Sequence, residues 1–210
     1  MTRSTRLSTP LGKDAHGDPI LTFRQIEGQA QVNQLFRYEL IAHSLRDDLD
    51  PGQLIGHDLT LSLDDQFHEA RYLNALVQDV EWIGSDETYQ LYRLTLAPWL
   101  MLACLRHDCR IFQHKSVPGI VDEVLQFYSY PIKKRLAASY PQREYCVQYN
   151  ESDLAFVCRL LEEEGISYYF QHEDGRHSLV LDDFLQNPAT VSRHATLPFR
   201  TTENSHANAS

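Results

Sequence analysis

The stretch Tyr145-Cys146-Val147-Gln148-Tyr149-Asn150-Glu151-Ser152-Asp153-Leu154-Ala155-Phe156-Val157-Cys158-Arg159-Leu160-Leu161-Glu162-Glu163-Glu164-Gly165-Ile166-Ser167-Tyr168-Tyr169-Phe170 reads as three consecutive elements. Tyr145, Val147 and Tyr149 recur at the period of a strand. Ser152 can cap a helix by accepting a free first-turn N–H, and Asp153 sets negative charge at the positive end of its dipole. Leu154, Val157 and Leu161, with Phe156 and Leu160 beside them, give that helix a wide apolar stripe. Gly165 fits the left-handed position that ends a helix, and Ile166 can pack back on Leu161 in a Schellman ending. Ile166, Tyr168 and Phe170 then alternate as one arm of a hairpin. Leu179 and Leu181 form the other arm, and Asp174-Gly175 its tight turn.

Outward toward the N-terminus the periodicity changes. From Leu21 to Leu96 it is two: Phe36, Tyr38 and Leu40; Leu59, Leu61 and Leu63; Val80 and Trp82; Tyr92, Leu94 and Leu96. Turn signals separate these runs at Gly17-Asp18-Pro19, Asp50-Pro51-Gly52, Asp64-Asp65-Gln66 and Gly84-Ser85-Asp86. Several short strands at this spacing indicate an antiparallel barrel or sandwich. Pro98 can open a short helix through Arg106. Ser116 precedes a longer one carrying Ile120, Val121, Val124, Leu125 and Tyr128, with Pro131 beyond its end. From Gln186 the chain turns polar, and 196–200 could add one more strand.

The chain has 210 residues, and its 19 Lys and Arg against 29 Asp and Glu leave a net charge of −10. A chain of this length buries roughly 70% of its unfolded surface, enough for a core without staples. Its anionic balance repels nucleic acid and acidic headgroups. The longest apolar run, Leu96 to Leu105, is half of what a membrane-spanning helix needs. Met1 to Pro10 is basic and polar with no apolar stretch behind it, so synthesis in the cytoplasm without a signal peptide is expected. Cys104, Cys109, Cys146 and Cys158 follow no metal or disulfide spacing and read as buried, reduced thiols.

Motifs that carry chemistry are sparse. There is no dinucleotide fingerprint, no phosphate loop, no HExxH and no GxSxG; Gly52 to Gly56 lies in a strand-like stretch without the phosphate-loop lysine. His172 and His177, with Glu173, Asp182 and Asp183 nearby, could converge on a divalent metal, but the spacing matches no metal motif and hairpin tips are usually just polar. His107-Asp108-Cys109 suggests an activated thiol, yet sequence neighbours rarely form a working dyad. Glu162, Glu163 and Glu164 crowd the last turn of the helix, where negative charge is disfavoured. Arg159 can reach Glu162 or Glu163. The three carboxylates are either a solvated face or a docking face for a basic partner. Two Asn-x-Ser patterns, at Asn150 and Asn208, read as accidental without a signal peptide.

The long run from Tyr145 to Phe170 closely resembles the VgrG family, the trimeric spike of the type VI secretion system. Leu35-Phe36-Arg37-Tyr38-Glu39-Leu40, Leu54-Ile55-Gly56, the run from Leu91 to Trp99, and Arg110-Ile111-Phe112-Gln113 match the family in the same order, so the resemblance covers most of Thr22 to Asp183. It implies an α+β, phage tail-hub-like fold: an antiparallel β-barrel domain followed by an α+β lobe. The implied division is an N-terminal extension (1–20), a first tube barrel (21–105), the lobe (106–185), and a linker entering a truncated second barrel (186–210). The family's second barrel, OB-fold neck and β-helical needle would lie beyond Ser210.

The resemblance further implies a mechanical role without a catalytic residue, metal or cofactor. The implied partners are two further copies in a trimer, the haemolysin-coregulated tube protein, effector or adaptor proteins, and a PAAR tip carried by the needle. Export would be by the type VI machine. Arg110, Phe112, Gln148, Tyr149, Glu151, Ser152, Asp153, Arg159 and Gly165 are the family-motif residues, expected to be structural. The competing readings are a phage-tail or other contractile-injection hub and, from another class, a metal- or thiol-dependent enzyme.

Overall fold

The computed structural model describes residues 5–64 and 70–184. Its first half contains six strands: β1 (Thr5–Ser8), β2 (Thr22–Gln29), β3 (Arg37–Ser44), β4 (Asp58–Asp64), β5 (Ala70–Ser85) and β6 (Gln90–Ala97). They pair antiparallel in the order β1-β4-β5-β6-β3-β2. The sheet curls into a half-barrel, so that its edge strands β1 and β2 come within 8 Å of each other between Cα atoms. The alternation read from the sequence sends Leu40, Ala42, Leu59, Leu61, Ala75, Val77, Leu94 and Leu96 inward, each no more than 1% exposed. Leu7, Leu21, Phe36 and Leu54 complete this core.

The sheet starts before the periodic region. Thr5–Ser8 pairs with β4, Leu7 opposite Leu61, in a strand too short to show alternation. Two bulges in β5, between Val77 and Asp79 and between Trp82 and Gly84, interrupt strict alternation and bend the strand. Between them, at the edge of the second, Trp82 is exposed and its Nε1 donates to Gln90 Oε1 at 2.9 Å. Gly28 lies opposite Tyr38, where a Cβ would stand 2.3 Å from the Arg37 carbonyl oxygen. Only glycine lets β2 lie this close to β3.

Two local expectations need correction. The stretch from Gly52 to Gly56 is not strand-like but begins in a 3₁₀ turn, Pro51–Gln53, with the Asp50 carboxylate accepting the Gly52 N–H at 2.9 Å. The short helix after Pro98 is a 3₁₀ turn, Trp99–Cys104, which buries Trp99, Leu100 and Ala103. With Leu100 and Ala103 three residues apart, the tighter helix sets both on one side.

The second half contains β7 (His107–Lys115), α1 (Val117–Leu125), β8 (Ile132–Arg135), β9 (Arg143–Ser152), α2 (Asp153–Glu163), β10 (Ser167–Glu173) and β11 (Arg176–Asp182). β7 and β9 form an antiparallel ribbon, and β10-β11-β8 a three-stranded sheet in which β8 runs parallel to β11. The inner faces of α1 and α2 pack with Trp99, Phe112, Leu179 and Leu181 into a second core. α2 ends as a Schellman motif: Gly165 takes φ 68°, its N–H donates to the Glu162 carbonyl at 3.1 Å, and that of Ile166 to Leu161 at 2.8 Å. Among the described residues no helix is long and apolar enough to cross a membrane. The extra strand expected at 196–200 lies outside the described residues.

These two glycines should respond differently to alanine. Gly28→Ala meets backbone and should cost about 2–3 kcal/mol. Gly165→Ala has open space around it and only the backbone angle to strain, about 1 kcal/mol. Urea unfolding midpoints in the reverse order would contradict the close approach of β2 to β3.

Candidate functional site

Of the family-motif residues, Arg110, Gln148, Glu151, Ser152 and Asp153 meet at the N-terminus of α2. Ser152 Oγ accepts the Ala155 N–H at 3.1 Å, as an N-cap does. Asp153 is wholly buried, and its own N–H donates to the Arg106 carbonyl at 2.9 Å. Arg110 Nη2 and Gln148 Nε2, the latter at 2.9 Å, donate to its Oδ1. Tyr128 Oη donates to its Oδ2 at 2.8 Å, and Arg106 Nη1 stands 3.7 Å from the same oxygen. Burial and the hydrogen bond to this carboxylate push the Tyr128 hydroxyl far above its usual range.

A second tier holds the first. Arg110 Nε donates to Gln148 Oε1 at 2.9 Å, and Asp108 Oδ2 lies 3.2 Å from Arg106 and 3.3 Å from Arg110. Gln148 also donates to the Glu151 carbonyl at 3.0 Å. The network thus draws on β7, β9, the turn around Tyr128 and the approach to β7. Phe112, on the ribbon's inner face, stacks on Phe156 of α2 at 5.6 Å. Tyr149 faces outward, 79% exposed.

The C-terminal end of α2 is tied to the same strand. Arg143, at the start of β9, donates to Glu163 Oε2 and Glu164 Oε1, each at 2.7 Å. Arg159 pairs with Glu151 at 2.7 Å and with Glu163 at 3.3 Å. These guanidinium groups hold the Glu163 carboxyl below the usual carboxylate range. Glu162 is exposed and lines a groove of about 320 Å³ with Asn33, Cys158, Gly165 and Tyr168.

The hairpin histidines are not at a polar tip. His177 is 1% exposed; its Nε2 accepts the Trp99 N–H at 2.9 Å, so its proton sits on Nδ1 and is donated to Asn74 Oδ1 at 2.7 Å. Asn74, buried in β5, donates in turn to the Leu59 carbonyl at 3.1 Å and to Thr60 Oγ1 at 2.9 Å. His172 Nδ1 donates to the Asn74 carbonyl at 3.0 Å. Both imidazoles are therefore spent on joining the half-barrel to the lobe. Among the described residues no group of three His, Cys, Asp or Glu side chains converges as metal ligands would.

Of the four cysteines expected to be buried, Cys146 is buried and Cys104 and Cys158 are half-buried, and the clearest departure is Cys109. It is exposed at a bulge of the ribbon, where its Sγ accepts the Asn150 N–H at 3.3 Å. The sequence does not single out Asn74, and it marks Arg106 and Tyr128 only as helix positions, not as partners of a buried carboxylate. A lone asparagine inside the apolar run from Leu73 to Val77 was the one available signal among them.

A curled antiparallel half-barrel carrying an α+β lobe is the architecture of a tail hub. Residues 29–209 match the phage tail baseplate hub (GPD) family, and the chain belongs to it. It is 34% identical over 200 residues to the type VI secretion system spike protein VgrG1a of Pseudomonas aeruginosa, covering 95% of this chain and 30% of that protein. With the spike protein VgrG3 of Vibrio cholerae it shares 32% over 192 residues, 85% of this chain and 18% of the other. The chain therefore spans less than a third of the length of these relatives.

Among solved structures, the c3393 protein of E. coli superposes with a TM-score of 0.67 at 25% identity, over 78% of this chain and 48% of that one. It is described as a component of the type VI secretion system with structural similarity to the T4 bacteriophage tail proteins gp27 and gp5. A chain of the Francisella PdpA-VgrG complex shares the fold at a TM-score of 0.59 and 13% identity, over 87% of this chain and 30% of that one.

Removing the buried charge should separate its role from that of the cap. Asp153→Asn removes the buried charge that Arg110 and Arg106 face, leaves Arg110 with Asp108 nearer the surface, and should lower stability by about 3 kcal/mol. Ser152→Ala removes one capping bond, about 1 kcal/mol. Equal losses in urea titrations would show that Asp153 acts only as a first-turn charge.

Proposed function

We propose that this chain is the hub region of a type VI secretion spike, the structural base that joins the spike to the secretion tube and helps deliver effectors into target cells. The observation that carries this reading is the 34% identity to a VgrG spike protein running through 95% of the chain. The role is mechanical rather than catalytic. In support, the polar clusters found at α2 and at the hairpin are knit by internal hydrogen bonds between several elements, and they stiffen the junctions that a loaded hub must keep rigid.

In this reading the half-barrel, with Thr5–Ser8 added to residues 21–105, is the tube-forming unit, and the 3₁₀ turn Trp99–Cys104 at its end packs into the lobe's core. Residues 106–185 are the lateral lobe, and 186–210 lead toward a second barrel. Arg110, Phe112, Gln148, Tyr149, Glu151, Ser152, Asp153, Arg159 and Gly165 serve structure. The partners are two further copies in a trimer, the haemolysin-coregulated tube protein, effectors or their adaptors, and a PAAR tip on a C-terminal needle. The protein is made in the cytoplasm and exported by the type VI machine.

Of the three carboxylates read as a docking face, Glu163 and Glu164 are engaged by Arg143, so Glu162 is the one a basic partner would meet. Glu162→Lys should then weaken effector capture most strongly at low salt; unchanged capture removes the docking role. The hub role itself is tested by immunoblotting cells and culture medium with antiserum to this domain. The protein should reach the medium only when the contractile sheath is intact. Release independent of the sheath would overturn the assignment.

A further inference from the structure

Half-barrel and lobe are joined by a buried hydrogen-bond relay from the Trp99 N–H through His177 to Asn74 and on to β4. The relay works only while His177 Nε2 keeps its lone pair. A proton there would set two N–H donors head-on at 2.9 Å and leave the Trp99 N–H without an acceptor in a fully buried position. We propose that this joint is an acid-released latch: protonation expels His177 from the relay and opens the seam between half-barrel and lobe while the lobe's own core stays folded.

The surroundings offer the imidazolium no counter-charge among the described residues and no acceptor at Nε2. Phe36 from the approach to β3, Phe170 and His172 from β10, and Tyr130 from the approach to β8 face His177, with ring centroids at 5.8, 6.0, 6.0 and 6.4 Å. Asn74 faces it from β5, and among the described residues no carboxylate pairs with it. The charged groups of the hairpin end, Lys133, Glu173 and Arg176, are paired among themselves. His172 is a second base, and its protonation would add repulsion. Asp58 on β4 acts on Tyr130 and works in the opposite sense, because burial raises its carboxyl and acid relieves it. One such carboxyl stands against two imidazoles.

Burial holds His177 down to about 3 and lowers His172. Once the seam opens, His177 regains its ordinary value near 6.5. The open form therefore takes up the proton between those values. The latch's contribution is complete above about pH 6.5 and is lost progressively as pH falls toward 3. His177 alone shifts the opening equilibrium about 30-fold between pH 7.5 and pH 5.

Opening should be confined to the seam. Besides the relay, the seam is held by His172 on the Asn74 carbonyl and by Asn33, whose N–H and Oδ1 bond the Tyr168 carbonyl and N–H at 2.8 Å each. Leu179 and Leu181, by contrast, sit in the lobe's core. The proposal does not depend on the hub assignment.

The test is native-state amide exchange by NMR on the 210-residue chain at pH 7.5 and pH 5, corrected for the intrinsic pH dependence of exchange. The amides of Trp99, Asn33 and Tyr168 should open about 30-fold more often at pH 5, with those of β7, β9 and α1 unchanged. No increase, or an equal increase throughout the chain, would overturn the latch. His177→Gln, whose side-chain carbonyl accepts from Trp99 without titrating near neutrality, should remove most of the step; a step left at full size also overturns it. Should that variant not fold, imidazole ¹⁵N shifts of the unmutated chain must show the Nδ1–H tautomer of His177 at pH 7.5, and the other tautomer would count against the proposal.

Discussion

The lobe is organised around one buried charge. An ionised carboxylate taken out of water loses several kcal/mol of solvation even after relaxation, and Asp153 is wholly buried. Its cost is offset only if strand, helix and turn deliver their donors to one point. Arg110 comes from β7, Gln148 from β9 and Tyr128 from the turn after α1. A shift of any one of these elements would leave an unmatched charge, so the network fixes their relative positions more narrowly than apolar packing alone. Ser152 and Arg143 then tie the two ends of α2 to the two ends of β9. The Schellman ending aims the chain into β10.

The half-barrel has no comparable centre. Its core is mostly aliphatic, with Phe36 and Tyr92 among the leucines, and register comes from alternation, interrupted by one bulge in β2 and two in β5. What it shares with the lobe is a small polar seam: Asn33 on Tyr168, Asn74 on both histidines, and an edge-on contact of Phe36 with Phe170 at 5.2 Å. Directional bonds at such a boundary specify how two separately packed cores are set against each other.

Local rules made part of this legible. The cap at Ser152, the stop at Gly165 and the turn at Asp174-Gly175 each involve residues a few positions apart, and all three are present. Elements too short to display a period were not legible, which is why β1 and β8 could not be read. Long-range pairing was also hidden. Asp153 reads as an ordinary first-turn acid, because its partner Arg110 is 43 residues away. The pairing of Glu163 and Glu164 is hidden in the same way, because Arg143 is 20 and 21 residues distant. His177 reads as a hairpin-tip residue, because nothing in its neighbourhood announces Asn74. The resemblance to the spike family located these residues as a set without saying what they touch.

The distance along the chain between Asn74 and His177, 103 residues, has a meaning during synthesis. Strands β1 to β6 leave the ribosome first and can close their apolar core among themselves. Asn74 and the Trp99 amide must then rely on water until the hairpin emerges, roughly 5–20 s later at ordinary translation rates. The seam is thus the last part to become dry. A nascent half-barrel exposes a hydrated polar face where the lobe will seat, and that face is a less adhesive surface for neighbouring chains than the hydrocarbon one it would present if the seam were apolar.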